Sequence, residues 1–221
     1  MLCKILKNNA FFLIPYLIIL LTLIPVFILY SKSEIHLWIN QYNSGFSDWF
    51  FKNITLLGNG FVIIILSILL LLVSLRYTVY ILTTYLSTGL FTQILKRIFF
   101  ENTIRPSKYF NDIASLHLVD GVNMLNGRSF PSGHASSAFA LFLCFALIST
   151  NRFVKLACFI MACLVAFSRV YLSQHFLIDI YAGSLIGIAG AIFFYQVFFQ
   201  NDRKWYTWTV QKLFQNDFNK A

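Results

Sequence analysis

Charge is scarce in this sequence. Asp, Glu, Lys and Arg make up only 11% of its 221 residues, against about 25% in an average soluble domain. With 58% hydrophobic residues and a mean hydropathy of +0.72, that shortage excludes a water-soluble globular domain. Linkers are missing as well: no repeat, low-complexity tract or Gly/Ser/Pro-rich stretch divides the chain, so 1–221 reads as a single membrane-embedded domain. There is no basic run. The net charge of +9 comes from cations standing singly or in pairs between apolar segments, which argues against nucleic acid and for anionic lipid headgroups and a phosphorylated substrate. Cysteines are few, and Cys3, Cys144, Cys158 and Cys163 lack the paired spacing of a zinc site or a disulfide framework. They read as small packing residues. No small-x-small cleavage site follows the first apolar run, which is therefore expected to be a retained span.

What is present is a succession of long apolar segments. A hydrocarbon core about 30 Å thick requires about 20 apolar residues per helix. The chain accommodates about six such spans, near residues 10–30, 54–75, 77–100, 132–149, 156–172 and 175–199. The expected fold is all-α, a polytopic membrane helical bundle. Between the first two spans, Trp38, Phe46, Trp49 and Phe50 alternate with Asn40, Gln41, Asn43, Asp48 and Lys52, the mixture of an amphipathic interfacial segment. Gly58-Asn59-Gly60 suggests a bend ahead of the second span. The tail from Gln200 is polar and basic and carries Trp205 and Trp208, as at an interfacial or cytoplasmic end. With the N-terminus inside, nine Lys and Arg fall on the inner side and eight on the outer. Setting aside five outer cations that flank the suspected site leaves nine against three, so the site is expected to face outward.

Three pieces carry chemistry. His175 and Asp179 are spaced i, i+4, which puts them on one face of a helix. The carboxylate can then orient one ring nitrogen and leave the other as a lone pair, the logic of a base and its orienter. In Phe-Pro-Ser-Gly-His (130–134), Pro131 stands where a helix can begin, and Ser132 and Gly133 offer backbone N–H groups at its positive end. His134 in that first turn suits a general acid. Upstream, Lys96, Arg97 and Arg105-Pro106 supply cations, and Arg169 lies just before His175. Arg provides a planar fork that matches two phosphate oxygens, whereas the ordinary role of such cations is to reach the headgroups. Arg128 and Lys108 are read as bystanders.

In this order, Arg-Pro, Pro-Ser-Gly-His and Ser-Arg-x5-His-x3-Asp resemble the three-part signature of the type 2 phosphatidic acid phosphatase superfamily. That group includes lipid phosphate phosphatases, glucose-6-phosphatases and the soluble vanadium haloperoxidases. The resemblance covers about residues 96–179. One departure concerns the first piece, where the family sets its lysine closer to Arg-Pro. Here eight residues separate Lys96 from Arg105 and seven separate Arg97 from it. Either the stretch 99–103 bulges and Lys96 still reaches the phosphate, the preferred reading, or Arg97 substitutes, or neither contributes.

The resemblance implies a two-step mechanism without metal or other cofactor. His175 would attack phosphorus with Asp179 orienting it, and His134 would protonate the leaving group. Lys96 or Arg97, Arg105, Ser132, Gly133 and Arg169 would hold the phosphate oxygens. The expected activity is hydrolysis of a membrane lipid phosphate or pyrophosphate, with lipid A, polyprenyl pyrophosphate, phosphatidylglycerol phosphate and phosphatidic acid as candidates. The expected location is a bacterial inner membrane with the site facing the periplasm or outside. A phosphotransferase that passes the same phosphohistidine to a lipid hydroxyl is the alternative, as is a non-catalytic lipid-binding protein.

Overall fold

The computed structural model describes residues 2–199. The expected interfacial or cytoplasmic tail lies outside them. The described chain is helical: α1 (Leu2–Asn8), α2 (Ala10–Leu29), α3 (Lys32–Asn40), α4 (Gly45–Ile54), α5 (Gly60–Leu71), α6 (Leu75–Ile94), α7 (Pro106–Tyr109), α8 (Gly133–Ile148), α9 (Arg152–Tyr171) and α10 (Leu177–Phe199). Six of these, α2, α5, α6, α8, α9 and α10, occupy the six apolar segments. By length and apolarity, however, only α2, α9 and α10 suffice to cross a membrane, or four spans if the bent pair Gly45–Gly58 and Gly60–Leu71 is one. A count of six is not established on that measure. α8 has only 16 residues, and α6 is rich in threonine and tyrosine. The expected bend is present: helix axes turn by 55° across Asn59.

The bundle is built around α8. Its small and apolar residues Ala135, Ser136, Ala138, Ala140, Leu143 and Cys144 are all buried, and α6, α9 and α10 pack around it. On α10, Gly183 and Gly187 face the α8 backbone so closely that a Cβ at Gly187 would collide with the Ser136 carbonyl and the Ala140 amide. Helix association without a hydrophobic driving force depends on such close approach. On α6, Thr84, Thr88 and Thr92 each donate a hydroxyl to the carbonyl four residues back at 2.8 Å. That back-bonding lets polar residues line an apolar seam. Thr92 also meets Ser136 of α8 at 3.3 Å.

The interfacial segment forms two short helices. Ser31 and Glu34 cap α3 reciprocally, a capping box, and these hydrogen bonds hold the Glu34 carboxyl below its ordinary range. Both helices grip the long loop between α6 and α8. Asn40 pairs with the His117 backbone in both directions, at 2.9 and 2.8 Å. Asp48 accepts from His117 at 3.0 Å and from the Tyr171 hydroxyl, and Lys52 donates to the Asp120 carbonyl at 2.6 Å.

The glycine seam generates a paired expectation for thermal unfolding in detergent. Gly187→Ala forces α8 and α10 apart and should cost about 2 kcal/mol, the scale of overpacking in a dense core. Gly89→Ala, in a helix with open space at the Cβ position, should leave stability unchanged or raise it by up to about 1 kcal/mol.

Candidate active site

The three sequence pieces meet at one end of the bundle, where α8 and α10 begin and α6 and α9 finish. The geometry of His175 differs from the expected helix face. It sits in the turn 172–176, two residues before α10 starts at Leu177. The carbonyl of Arg169 accepts from the amides of both Gln174 and His175, at 2.9 and 3.1 Å, so the end of α9 fixes the turn. Asp179 belongs to the first turn of α10, where backbone N–H groups have no partner within the helix. Its Oδ2 accepts the amide of Phe176 at 2.9 Å and approaches His175 Nδ1 at 3.3 Å. One carboxylate thus caps a helix and orients a histidine.

The protonation pattern of His175 follows from its neighbours. Arg105 Nη1 stands 3.4 Å from Nε2, and a guanidinium can only donate. Nε2 must therefore carry the lone pair, with the proton on Nδ1 directed at Asp179. Ser129 reinforces this arrangement: its hydroxyl donates to Asp179 Oδ2 at 2.5 Å and lies 3.5 Å from His175 Nδ1.

Around the free lone pair stand three buried cations. Arg105, brought in by the long loop, donates from Nε to the Gly127 carbonyl at 3.0 Å and from Nη1 to the Gln174 carbonyl at 3.1 Å. Burial lowers its pKa from the ordinary value, yet an arginine remains protonated. Arg169 donates to the Thr55 hydroxyl at 2.9 Å, and its Nε is buried with no partner. Lys96 is buried, and its Nζ donates to the Arg128 carbonyl at 3.0 Å. Three cations against the single carboxylate of Asp179 leave two positive charges, the complement of a phosphate dianion.

The two candidates in the first piece lie in different surroundings. Arg97 is exposed, while Lys96 faces the cluster. Lys96 continues the i+4 stripe of Thr84, Thr88 and Thr92, so the ladder that faces α8 ends on its ammonium. Leu95–Phe99 forms a π-helical turn, a widened turn of the kind found at functional sites. A bend and turn follow over residues 100–102, inside the stretch 99–103 where the sequence had suggested a bulge.

His134, in the first turn of α8, is half-buried and within electrostatic reach of His175, Lys96, Arg105 and Arg169. Ser132 caps α8 by accepting from the Ala135 amide, and its own amide donates to the Asp179 carbonyl at 2.9 Å. Space is open where a Gly133 Cβ would lie. Gly58, in the 3-10 turn Thr55–Gly58, packs against His134; a Cβ there would stand 3.3 Å from the His134 ring. Arg128 sits at a positive φ of 54° beside Glu101, and Lys108 is exposed.

Ser129, Thr55, Gly58 and Gln174 were not picked out from the sequence. Ser129 had a signal, adjacency to Phe-Pro-Ser-Gly-His. Thr55 and Gly58 had none, because their contacts span more than 75 residues of chain. Among the described residues, no group of three or more His, Cys, Asp or Glu could hold a metal ion.

Comparison with known proteins shows the family. The sequence model of the PAP2 superfamily matches residues 77–203, more than half the chain. The chain belongs to the PAP2 superfamily. Among PAP2 relatives, the lipid A 4'-phosphatase of Bacteroides thetaiotaomicron is 32% identical over 92 residues, 42% of this chain and 41% of that protein. That of Porphyromonas gingivalis is 30% identical over 102 residues, 46% of this chain and 42% of that protein. The match thus spans less than half the length of either relative. The crystal structure of Aquifex aeolicus LpxE aligns with a TM-score of 0.66 at 28% identity, covering 74% of this chain and 93% of that one. The PAP2-type phosphatidylglycerolphosphate phosphatase of Bacillus subtilis aligns at 0.64 and 21% identity over 90% and 98%, a likeness of fold.

The first PAP2 motif supplies a direct contrast. Lys96→Met should weaken binding of orthovanadate, read as a thermal shift of the detergent-solubilised protein, by about 10- to 100-fold, the worth of a charge-assisted hydrogen bond. Arg97→Ala should leave it within about twofold.

Proposed function

We propose that this chain is a membrane lipid phosphate phosphatase that works through a phosphohistidine on His175. The observation that carries the reading is the Nε2 lone pair of His175, backed by Asp179 and Ser129 and facing a buried surplus of two positive charges. In the first step Nε2 attacks phosphorus and the bond from phosphorus to the lipid oxygen breaks. His134 gives that oxygen its proton. Lys96, Arg105, Arg169 and the backbone around Ser132 and Gly133 receive the charge of the equatorial oxygens, where fixed donors are most effective. In the second step His134, now neutral, takes a proton from water as that water attacks the phosphohistidine. Inorganic phosphate leaves, and Nε2 regains its lone pair. No step needs a metal.

The substrate favoured is lipid A, supported by the two lipid A 4'-phosphatases among the relatives. The site is assigned to the outer face of a bacterial inner membrane on the Lys/Arg distribution.

Purified protein supplied with a panel of lipid phosphates should release inorganic phosphate with EDTA present, fastest from lipid A. His175→Ala should lose turnover by on the order of a thousandfold or more, as when a covalent nucleophile is removed. Substrate labelled in its phosphate and quenched in alkali should leave label on wild-type protein but none on His175→Ala. Turnover that collapses with chelator, or persists in His175→Ala, would rule the mechanism out. Label passing into a second lipid instead of free phosphate would make the enzyme a transferase.

A further inference from the structure

His36 takes no part in the mechanism above, yet it is almost completely buried against the catalytic turn. It comes from α3, which belongs to the interfacial pair of helices. Its Nε2 lies 3.2 Å from the hydroxyl of Ser173, two residues before His175. Its ring meets Phe176, one residue after His175, edge to face at 5.5 Å, and stacks on Phe110 of the long loop at 5.7 Å. His36 therefore touches the turn on both sides of the nucleophile.

Two features show that packing alone does not explain it. Ser173 is a non-glycine residue at a φ of 52°, a left-handed conformation in which a Cβ crowds the backbone. Something must hold it there, and the bond from His36 is the side-chain bond it has. The second feature is His36 Nδ1, buried without a partner. Among Phe110, Phe176 and apolar neighbours a phenylalanine would fill the space with no orphaned nitrogen, so the imidazole adds nothing to packing that Phe would not. Burial holds His36 near a pKa of about 4, so at neutral pH the ring is uncharged. The lone pair at Nδ1 and the proton at Nε2, donated to Ser173, form the tautomer that leaves no buried N–H unpaired.

We infer that His36 is a positioning residue: through Ser173 it holds the strained turn that aims His175 Nε2 at phosphorus. The inference rests on the reading of His175 as nucleophile. Holding a nucleophile in place affects turnover more than substrate affinity, and misplacement by about 1 Å can cost on the order of a hundredfold.

The test compares wild type, His36→Phe, Ser173→Ala, Ser173→Gly and the His36→Phe/Ser173→Gly pair, by kcat and KM on a lipid phosphate and by orthovanadate affinity from thermal shift. His36→Phe keeps the ring contacts and loses the bond. It should lower kcat about tenfold with KM within about twofold, and weaken vanadate binding to a similar degree. Ser173→Ala keeps the strain and loses the bond, so it should behave alike. Glycine accepts a positive φ without strain, so Ser173→Gly should restore most of the loss when combined with His36→Phe. A folded His36→Phe protein with unchanged kcat and vanadate affinity, or losses that simply add in the double variant, would overturn the inference. Should His36→Phe fail to fold, an unchanged kcat in Ser173→Ala does the same. A wild type that binds vanadate in a His36-dependent way yet hydrolyses no lipid phosphate would remove the phosphatase reading and leave the role of His36 standing.

Discussion

The amide of Ser132 donates to the carbonyl of Asp179 at 2.9 Å, and the site depends on that bond between the starts of two helices. It sets α8 and α10 side by side at their positive ends. Below it, Gly183 and Gly187 let the two backbones close together. Above it, His134 on one helix and the His175–Asp179 pair on the other come into the same volume. Hydrogen bonding at the top and small-residue packing beneath act on the same two elements, so the geometry of the site is fixed by the close contact of α8 and α10. Sites held on helices in this way tolerate little displacement.

Electrostatics impose the opposite requirement. Lys96, Arg105 and Arg169 are all buried within reach of one another, and placing like charges out of water costs several kcal/mol per ion unless they are paired. Backbone carbonyls meet part of the need: Arg128, Gly127 and Gln174 each offer one. The unpaired Nε of Arg169 shows that the need is not fully met. A dianion would complete the set. On the proposed reading, the stability the site gives up when empty would become affinity for a phosphoryl group, and the same charges would suit a transition state whose charge lies on the equatorial oxygens.

Much of this was legible in the sequence, for definable reasons. Apolar segments long enough to register as spans appear as α2, α5, α6, α8, α9 and α10, although span number is not fixed by apolarity when α8 is short and α6 carries threonines. His175 and Asp179 were identified by an i, i+4 spacing that implied a helix face, but the chain reaches the same juxtaposition through a turn capped by the carboxylate. Spacing reports proximity without reporting backbone. The choice between Lys96 and Arg97 was also present in the sequence, because Thr84, Thr88, Thr92 and Lys96 form a stripe at intervals of four. Thr55, Gly58 and His36 were beyond reach, since each meets the site through contacts that only the packed bundle creates.

The loop bearing Arg105 raises a separate physical question, because a guanidinium on a long irregular segment should be poorly held. The segment is not loose. Asn40, Asp48 and Lys52 bind it at His117 and Asp120, and Phe110 stacks on His36. The same two interfacial helices send His36 under the catalytic turn and, through the Thr55–Gly58 turn, hold Arg169 and His134. What reads in the sequence as an amphipathic stretch suited to the headgroup layer is thus in contact with the His175 turn, His134 and one of the three cations, Arg169. The described bundle builds its polar site from helix ends and connections. In this chain the connection between the first two apolar helices, α2 and α5, shares that construction with the loop that contains the arginine itself.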